Sequence, residues 1–339
     1  MLYKLLSIDN YTPTNIGDYV QALAASQFLP SIDGFINREG LLDYEGDDCK
    51  VIMNGWYMHN PKQWPPSPKI HPLFVSLHIN VNVEKELLSP DGIRYLKQYE
   101  PIGCRDEHTR DTLLSKGVDA YFSGCLTLTL GNIFTTSERG SDVYFVDPYI
   151  PKDNNGGVLL KDVLYFLFHP HQVISISRKM HVGSTRLKNT LRVARFARLY
   201  SRVFTNDTLI NAKYISQENE SYSVLSNKER LIEAEKLVRL YAKAALVVTS
   251  RIHCALPSLG LGTPVYLVRK KGDSIGSSCR MGGLEELFNI IRVSSASAQC
   301  EFSTNERLSS RNIIQNKESW KKLAKNLTER CSSFVSSRD

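Results

Sequence analysis

No stretch of this 339-residue chain offers the roughly 18 uninterrupted apolar residues that a membrane span requires. The apolar part of residues 1–9 is too short for a secretory signal, so a cytoplasmic protein is expected. The seven cysteines, at 49, 104, 125, 254, 279, 300 and 331, include no C-x-x-C pair. Their odd number and wide scatter argue against a disulfide framework and a zinc ribbon, so reduced thiols and no metal are expected. Also missing are the G-x-x-x-x-G-K-[ST] phosphate loop, the G-x-G-x-x-G fingerprint and the H-E-x-x-H helix, and no nucleophilic triad stands out. Residues 163–206 contain no Asp or Glu, while Arg178, Lys179, Arg186, Lys188, Arg192, Arg195, Arg198 and Arg202 place eight positive charges there. The net charge is +7, so the excess belongs to this one stretch. A confined basic patch steers an anionic partner, whether nucleic acid, an anionic membrane surface or a phosphorylated substrate. Nucleic acid is set aside because no reading module accompanies the patch.

Short β-branched runs alternate with helical ones, and the length suits two linked α/β units. Strands are expected at residues 3–8, 32–36, 51–53, 73–78, 101–105, 118–122, 143–146, 173–176 and 245–249, with an apolar alternation at 126–130. Helices are expected at 19–29, 91–99, 107–116, 185–200 and 228–242, and across most of 305–333. The polar stretch 135–141 marks a boundary. It divides a first domain (1–138) from a second (139–302), followed by a helical segment (303–339) that packs back on the first. Helix 185–200 puts Leu187, Leu191 and Ala194 on one side and groups Arg192, Arg195 and Arg202 on another. That face either rests on anionic lipid headgroups or is simply solvated.

The chain is organised around residues 244–268. The buried-strand pattern Ala245-Leu246-Val247-Val248-Thr249 gives way to Ser250, Arg251 and His253 at the start of a helix. Free backbone N–H groups and the helix dipole favour an anion there. The alternative is a salt-bridged arginine and a satisfied core histidine. Two further groups follow strands in the same way. Asn15-Ile16-Gly17-Asp18 opens the first helix, with Asn15 as its expected N-cap and Asp18 serving either a weak capping box or a substrate. Gly17 lets backbone approach a ligand. Arg105 precedes Asp106, a good N-cap. Ligands of parallel sheets bind beyond the carboxyl ends of the strands. If the two sheets face each other, two arginines and a histidine therefore meet in a cleft suited to a small, highly charged anion.

Asn15-Ile16-Gly17-Asp18, Cys104-Arg105-Asp106-Glu107 and Ser250-Arg251-Ile252-His253 with Gly262-Thr263-Pro264-Val265 resemble the polysaccharide pyruvyl transferase family over roughly residues 10–270. The resemblance implies two Rossmann-like domains facing across a GT-B-like cleft. It also implies transfer of the enolpyruvyl carbon of phosphoenolpyruvate to two sugar hydroxyls, giving a cyclic pyruvate ketal, with no cofactor beyond that co-substrate. On this reading His253 is the acid and Asp18 orients or deprotonates the acceptor. Arg105, Arg251 and Ser250 hold the donor, and Lys270 or Lys271 adds phosphate contacts. Asn15, Gly17, Asn54 and His78 are the acceptor-side candidates. The acceptor is expected to be a lipid-linked sugar of a surface polysaccharide precursor, with helix 185–200 near the membrane. The chain departs from the family's pattern at Asn54-Gly55-Trp56 and Gly124-Cys125, both in the first domain. The other readings are a nucleotide-sugar glycosyltransferase of the same shape and a non-catalytic anion- or glycan-binding protein.

Overall fold

A computed structural model describes residues 1–9, 14–136, 138–152, 155–272 and 279–337. Strands β1 (Leu2–Ser7), β2 (Gly34–Asn37), β3 (Cys49–Ile52) and β4 (Ile70–Leu73) form a parallel sheet in the order β2-β1-β3-β4. Beyond it, β5 (Ile102–Cys104) pairs in parallel with β6 (Ala120–Phe122). The strand expected over residues 73–78 ends at Leu73. Ser76 turns into the left-handed region (φ 57°), and Leu77 then pairs with Cys104 through a single bridge, so the chain changes partner instead of extending β4. Helix α1 (Gly17–Ser26) follows β1. α2 (Glu84–Leu87), α3 (Pro90–Lys97) and α4 (Glu107–Ser115) complete this half. The alternation at 126–130 is not a strand but part of a 3-10 helix, Leu126–Asn132, in which those five residues are all buried. α1 packs on it from the first half. An alternating pattern marks a strand only when one of its faces meets water, and here neither does.

The second sheet runs β12-β11-β10-β9-β7-β8. It is built from β7 (Val143–Val146), β8 (Lys213–Ile215), β9 (Leu246–Thr249), β10 (Val265–Lys270), β11 (Asn289–Val293) and β12 (Ala298–Cys300), with only β12 antiparallel. Its helices are α5 (Gly156–Phe168), α6 (Pro170–Ser177), α7 (Arg186–Tyr200), α8 (Asn206–Asn211), α9 (Asn227–Lys243) and α10 (Ile252–Gly260), with α11 (Trp320–Ser336) at the end. Residues 173–176, expected as a strand, lie in α6. Pro170 starts that helix, and Val173 and Ile176 are buried while Ile174 faces out, so a four-residue apolar run concealed a helical period. Residues 305–319, expected as helix, are largely irregular. There Asn316 accepts from the Val265 amide and donates to the Thr263 carbonyl.

Helix α7 forms, but its arginines are not one exposed face. Arg195 is 4% exposed and its Nε donates to Asp162 at 2.7 Å, while Arg198 Nε donates to the same carboxylate at 3.0 Å. Leu187, placed on the inner side by its spacing, is 70% exposed. The cause is Asp162, which lies just upstream of the acid-free stretch and turns inward. Asp162→Ala is expected to destabilise the fold by about 3–5 kcal/mol, because it leaves two guanidinium groups without their counter-charge. Urea unfolding measures this directly.

The two halves share one core. Leu5, Ile8, Tyr19 and Val20 pack with Ala234 and Val238 of α9 and with Leu327 and Cys331 of α11. Helix α10 lies so close to the 3-10 helix that a Cβ on Gly260 would sit 2.4 Å from the Leu128 carbonyl oxygen. Backbone bonds from Ile16 to Gln217 (3.0 Å) and from Asn219 to Thr14 (2.9 Å) tie the loop after β1 to the loop after β8. Each sheet reverses its strand order at its first strand, β1 or β7. Residues beyond the carboxyl ends of β1 and of β9 line one cleft, the two-halved arrangement expected of a GT-B-like chain.

Candidate active site

Every residue of β9 is buried, which makes it a rigid support for the residues at its carboxyl end. Arg251 is the first residue flanking α10, no side chain caps that helix, and His253 departs from helical geometry (φ −83°, ψ 15°). Across from them stands the start of α1. Asn15 is not the N-cap there, since Ile16 holds that position in helical conformation, and Asn15 Oδ1 instead accepts from the Gly17 amide at 3.0 Å. A Cβ on Gly17 would lie 3.3 Å from His253 Cβ and 3.1 Å from Asn15 Oδ1, tight contacts that glycine avoids where the two halves approach. Asn15, Gly17, Arg105, Ser250, Arg251 and His253 thus line one cleft of about 230 Å³, together with Gln217, Arg269 and Arg280.

Five candidates lie elsewhere. Asp18 forms no capping box. It pairs with Arg38 at 3.0 Å and accepts from Gln21, in a small crevice that Asn54 also lines. Asn54 is 2% exposed and donates to the Gln21 carbonyl, which makes it a structural tie rather than an acceptor contact. His78 is fully buried 2.6 Å from Asp106, whose other oxygen caps α4 by accepting from the Thr109 amide at 2.9 Å. Burial and then Arg105 hold its imidazole below the usual histidine range, so it sits neutral beneath the cleft. Lys270 and Lys271 are exposed at the end of β10 and outside the cleft. Strand alternation gives that wall to Arg269, which is paired with Glu285 at 2.7 Å.

The electrostatics of the cleft centre on Arg105. It is 1% exposed, yet among the described residues none of its three guanidinium nitrogens has a hydrogen-bond partner. Arg280 lies over Trp56, 4.7 Å from the ring centroid, and burial followed by Arg105 brings its pKa down to about 10. His253 is pushed down to about 3, mainly by burial and then by Arg105, with Asp18 opposing, and its Nε2 is also without a partner. A neutral imidazole therefore sits beside the buried cations Arg105 and Arg280, which Asp106 and Asp18 oppose without hydrogen bonding to the Arg105 guanidinium, an arrangement that suits an incoming anion. Arg251 differs, because its guanidinium is already held by Asp147 (3.1 Å) and Glu218 (2.7 Å).

Asp147 takes a left-handed φ of 42° where β7 ends. Its carboxylate also accepts from the Gln217 amide at 2.9 Å, and its carbonyl accepts from Ser250 Oγ at 2.6 Å. Asp147 therefore sets the position of both Ser250 and Arg251. These two residues also border a second cavity of about 480 Å³, whose wall includes Tyr149, Lys152, Lys179, His181 and Arg192.

Arg280, Gln217 and Asp147 were not legible as site residues. Arg280 comes from an irregular glycine-rich segment with no period to place it, and Gln217 carries no local signal. Asp147 did carry one: a carboxylate directly after a buried strand and before a proline.

The depressed pKa of His253 makes a statement about stability. Between about pH 3 and its ordinary 6.5, the unfolded chain binds a proton that the folded chain does not, so stability rises with pH across that window and is lost on acidification. At pH 5 the loss from this group is about 2 kcal/mol. A series of melting temperatures from pH 7 to 5 is expected to fall more steeply for the native chain than for His253→Gln.

A family model described as "Polysaccharide pyruvyl transferase" matches residues 15–269. That span includes every cleft residue named above except Arg280. No curated protein matches the chain. Among solved structures, one assigned as a UDP-N-acetylglucosamine 2-epimerase from Listeria monocytogenes is 12% identical, with a TM-score of 0.41, covering 100% of this chain and 92% of that one. The family match covers most of the chain, which therefore belongs to the polysaccharide pyruvyl transferase family, enzymes of pyruvyl transfer in polysaccharide biosynthesis.

Proposed function

We propose that the donor is phosphoenolpyruvate and that the product is a cyclic pyruvate ketal on two hydroxyls of a sugar. The observation that carries this reading is Arg105, a fully buried guanidinium aimed into the cleft with every nitrogen unsatisfied. A donor bearing both a carboxylate and a phosphate answers Arg105 and Arg280 together, with the uncapped start of α10 alongside. Burial is the main reason that His253 is neutral, with Arg105 next; the donor's negative charge counters the arginines and raises the histidine pKa, and Nε2 is then the group that carries the proton to the methylene carbon. The first sugar hydroxyl adds to the neighbouring carbon and gives its proton to the now neutral imidazole of His253, which restores the acid. Departure of phosphate leaves an oxocarbenium-like centre, and the second hydroxyl closes the ketal, its proton leaving with phosphate. Asp18, held by Arg38, acts through the electrostatics of His253 rather than by touching the acceptor. No cofactor takes part in this scheme.

The second cavity suits the acceptor, a sugar on a lipid-linked precursor. Tyr149 offers a ring, and Lys152, Lys179, His181 and Arg192 offer charge to an attached phosphate. This reading moves the acceptor away from Asn54 and His78.

The test is ligand-induced stabilisation followed by turnover. Phosphoenolpyruvate at about 100 times its Kd is expected to stabilise the chain by about 2.7 kcal/mol, and phosphate release is expected only with acceptor present. Stabilisation by a nucleotide sugar instead would mark a glycosyltransferase. Binding without consumption across an acceptor panel would mark a non-catalytic protein.

A further inference from the structure

Helix α5 is built inside out. Its inward side carries Asp162, buried against Arg195 and Arg198, beside Val158. Its outward side presents Leu160, Leu164, Leu167 and Phe168 at i, i+4, i+7 and i+8, exposed by 59%, 43%, 64% and 78%. Among the described residues, five of the fourteen exposed large hydrophobics lie in this one thirteen-residue helix, with Leu159 as the fifth. Such a concentration is not the scattered exposure usual on a soluble surface.

The exposed charge on α5 itself, and on and next to the helices α6 and α7 that pack on it, has one sign. From residue 155 to 206 the only acid is Asp162, and it is neutralised inside. Lys161, Arg178, Lys179, Arg186, Lys188 and Arg202 are all exposed. We propose that the outward face of α5 docks the chain on an anionic bilayer surface, with the leucines and Phe168 entering the acyl boundary and the surrounding lysines and arginines meeting the headgroups. The helix is about 20 Å long at 1.5 Å per residue, and no helix of the described residues is long and apolar enough to cross a membrane, so α5 lies in the plane of the interface. A second copy of the chain fits the face less well. A two-fold interface would set the same cations against themselves, whereas an anionic headgroup layer complements them. The docking element is therefore α5, and α7 contributes only through its exposed start.

Flotation of the full chain with phosphatidylcholine vesicles, with and without phosphatidylglycerol, tests the proposal. The native chain is expected to float with the anionic vesicles only, and more weakly as salt is raised. The variant Leu164→Ser/Leu167→Ser/Phe168→Ser is expected to lose at least about tenfold in partitioning, since each exposed apolar side chain contributes to insertion. It is also expected to keep native turnover of a water-soluble acceptor. If the triple variant does not fold, Phe168→Ser alone is read against the same criterion, with a proportionately smaller loss. The proposal fails if the native chain does not bind anionic vesicles or if the serine variants bind as well as the native chain. It fails equally if light scattering shows a native dimer that the variants dissolve, which would assign the face to a second copy.

Discussion

Arg105→Met is expected to raise the melting temperature of the ligand-free protein while abolishing phosphate release from phosphoenolpyruvate. An unpaired guanidinium at 1% exposure has lost its hydration and gained no hydrogen bond in return. Methionine fills much of the same volume without that penalty, which is about 1–3 kcal/mol for one unsatisfied buried group and larger for a charge. The melting temperature should therefore climb by a few degrees, at about 1–2 °C per kcal/mol for a chain of 339 residues. Turnover should fall by about 10²–10³ or more, the scale of removing a preorganised electrostatic donor. The stabilisation by phosphoenolpyruvate should vanish with it. A variant that melts lower than the native chain and still releases phosphate would show Arg105 to be a structural cation and would place the donor elsewhere.

His253→Gln is expected to separate binding from chemistry. Phosphoenolpyruvate should still stabilise this variant, because Arg105 and Arg280 remain, while turnover falls by about 10²–10⁴, the usual range for loss of a general acid. The pH profile adds a readout that a packing role would not produce. In the native enzyme, kcat should decline as pH rises through the ligand-raised pKa of His253, and in the variant the residual rate should lack that limb. Equal turnover in the two proteins would remove His253 from the reaction.

The parts of the site that were legible share one physical property. Arg251 and His253 follow a short, β-branched apolar run that forms a buried strand, and Arg105 stands between a short strand and the N-cap Asp106. In each case local pattern locates the carboxyl end of a strand, and the rules of parallel sheets do the rest. Their partners were less legible for the same reason. Arg280 lies in an irregular segment and reaches the cleft only because Cys279–Met281 is folded over α4, where the Glu107 amide donates to the Gly282 carbonyl at 3.2 Å. Lys270 and Lys271 illustrate the limit: charge and proximity suggested them, but the two-residue period of β10 turned Arg269 inward and Lys270 outward, and Lys271 lies exposed past the end of the strand.

From the residues alone came the alternation of strands and helices, the two-part α/β organisation, the family and the three strand-end motifs. These depend on periodicity and on residue types needed at particular backbone positions, which are local properties. Tertiary structure decided which charges are answered. It gave Arg251 to Asp147 and Glu218, Asp18 to Arg38 and Arg195 to Asp162, and it left the Arg105 guanidinium without a hydrogen bond among the described residues. It also turned the apolar side of α5 to the outside. Pairing and exposure depend on groups far apart in the chain, brought together only when the two sheets close on each other. That closure is why an arginine can be read at its position in a sequence while its charge state and its role are set by the fold.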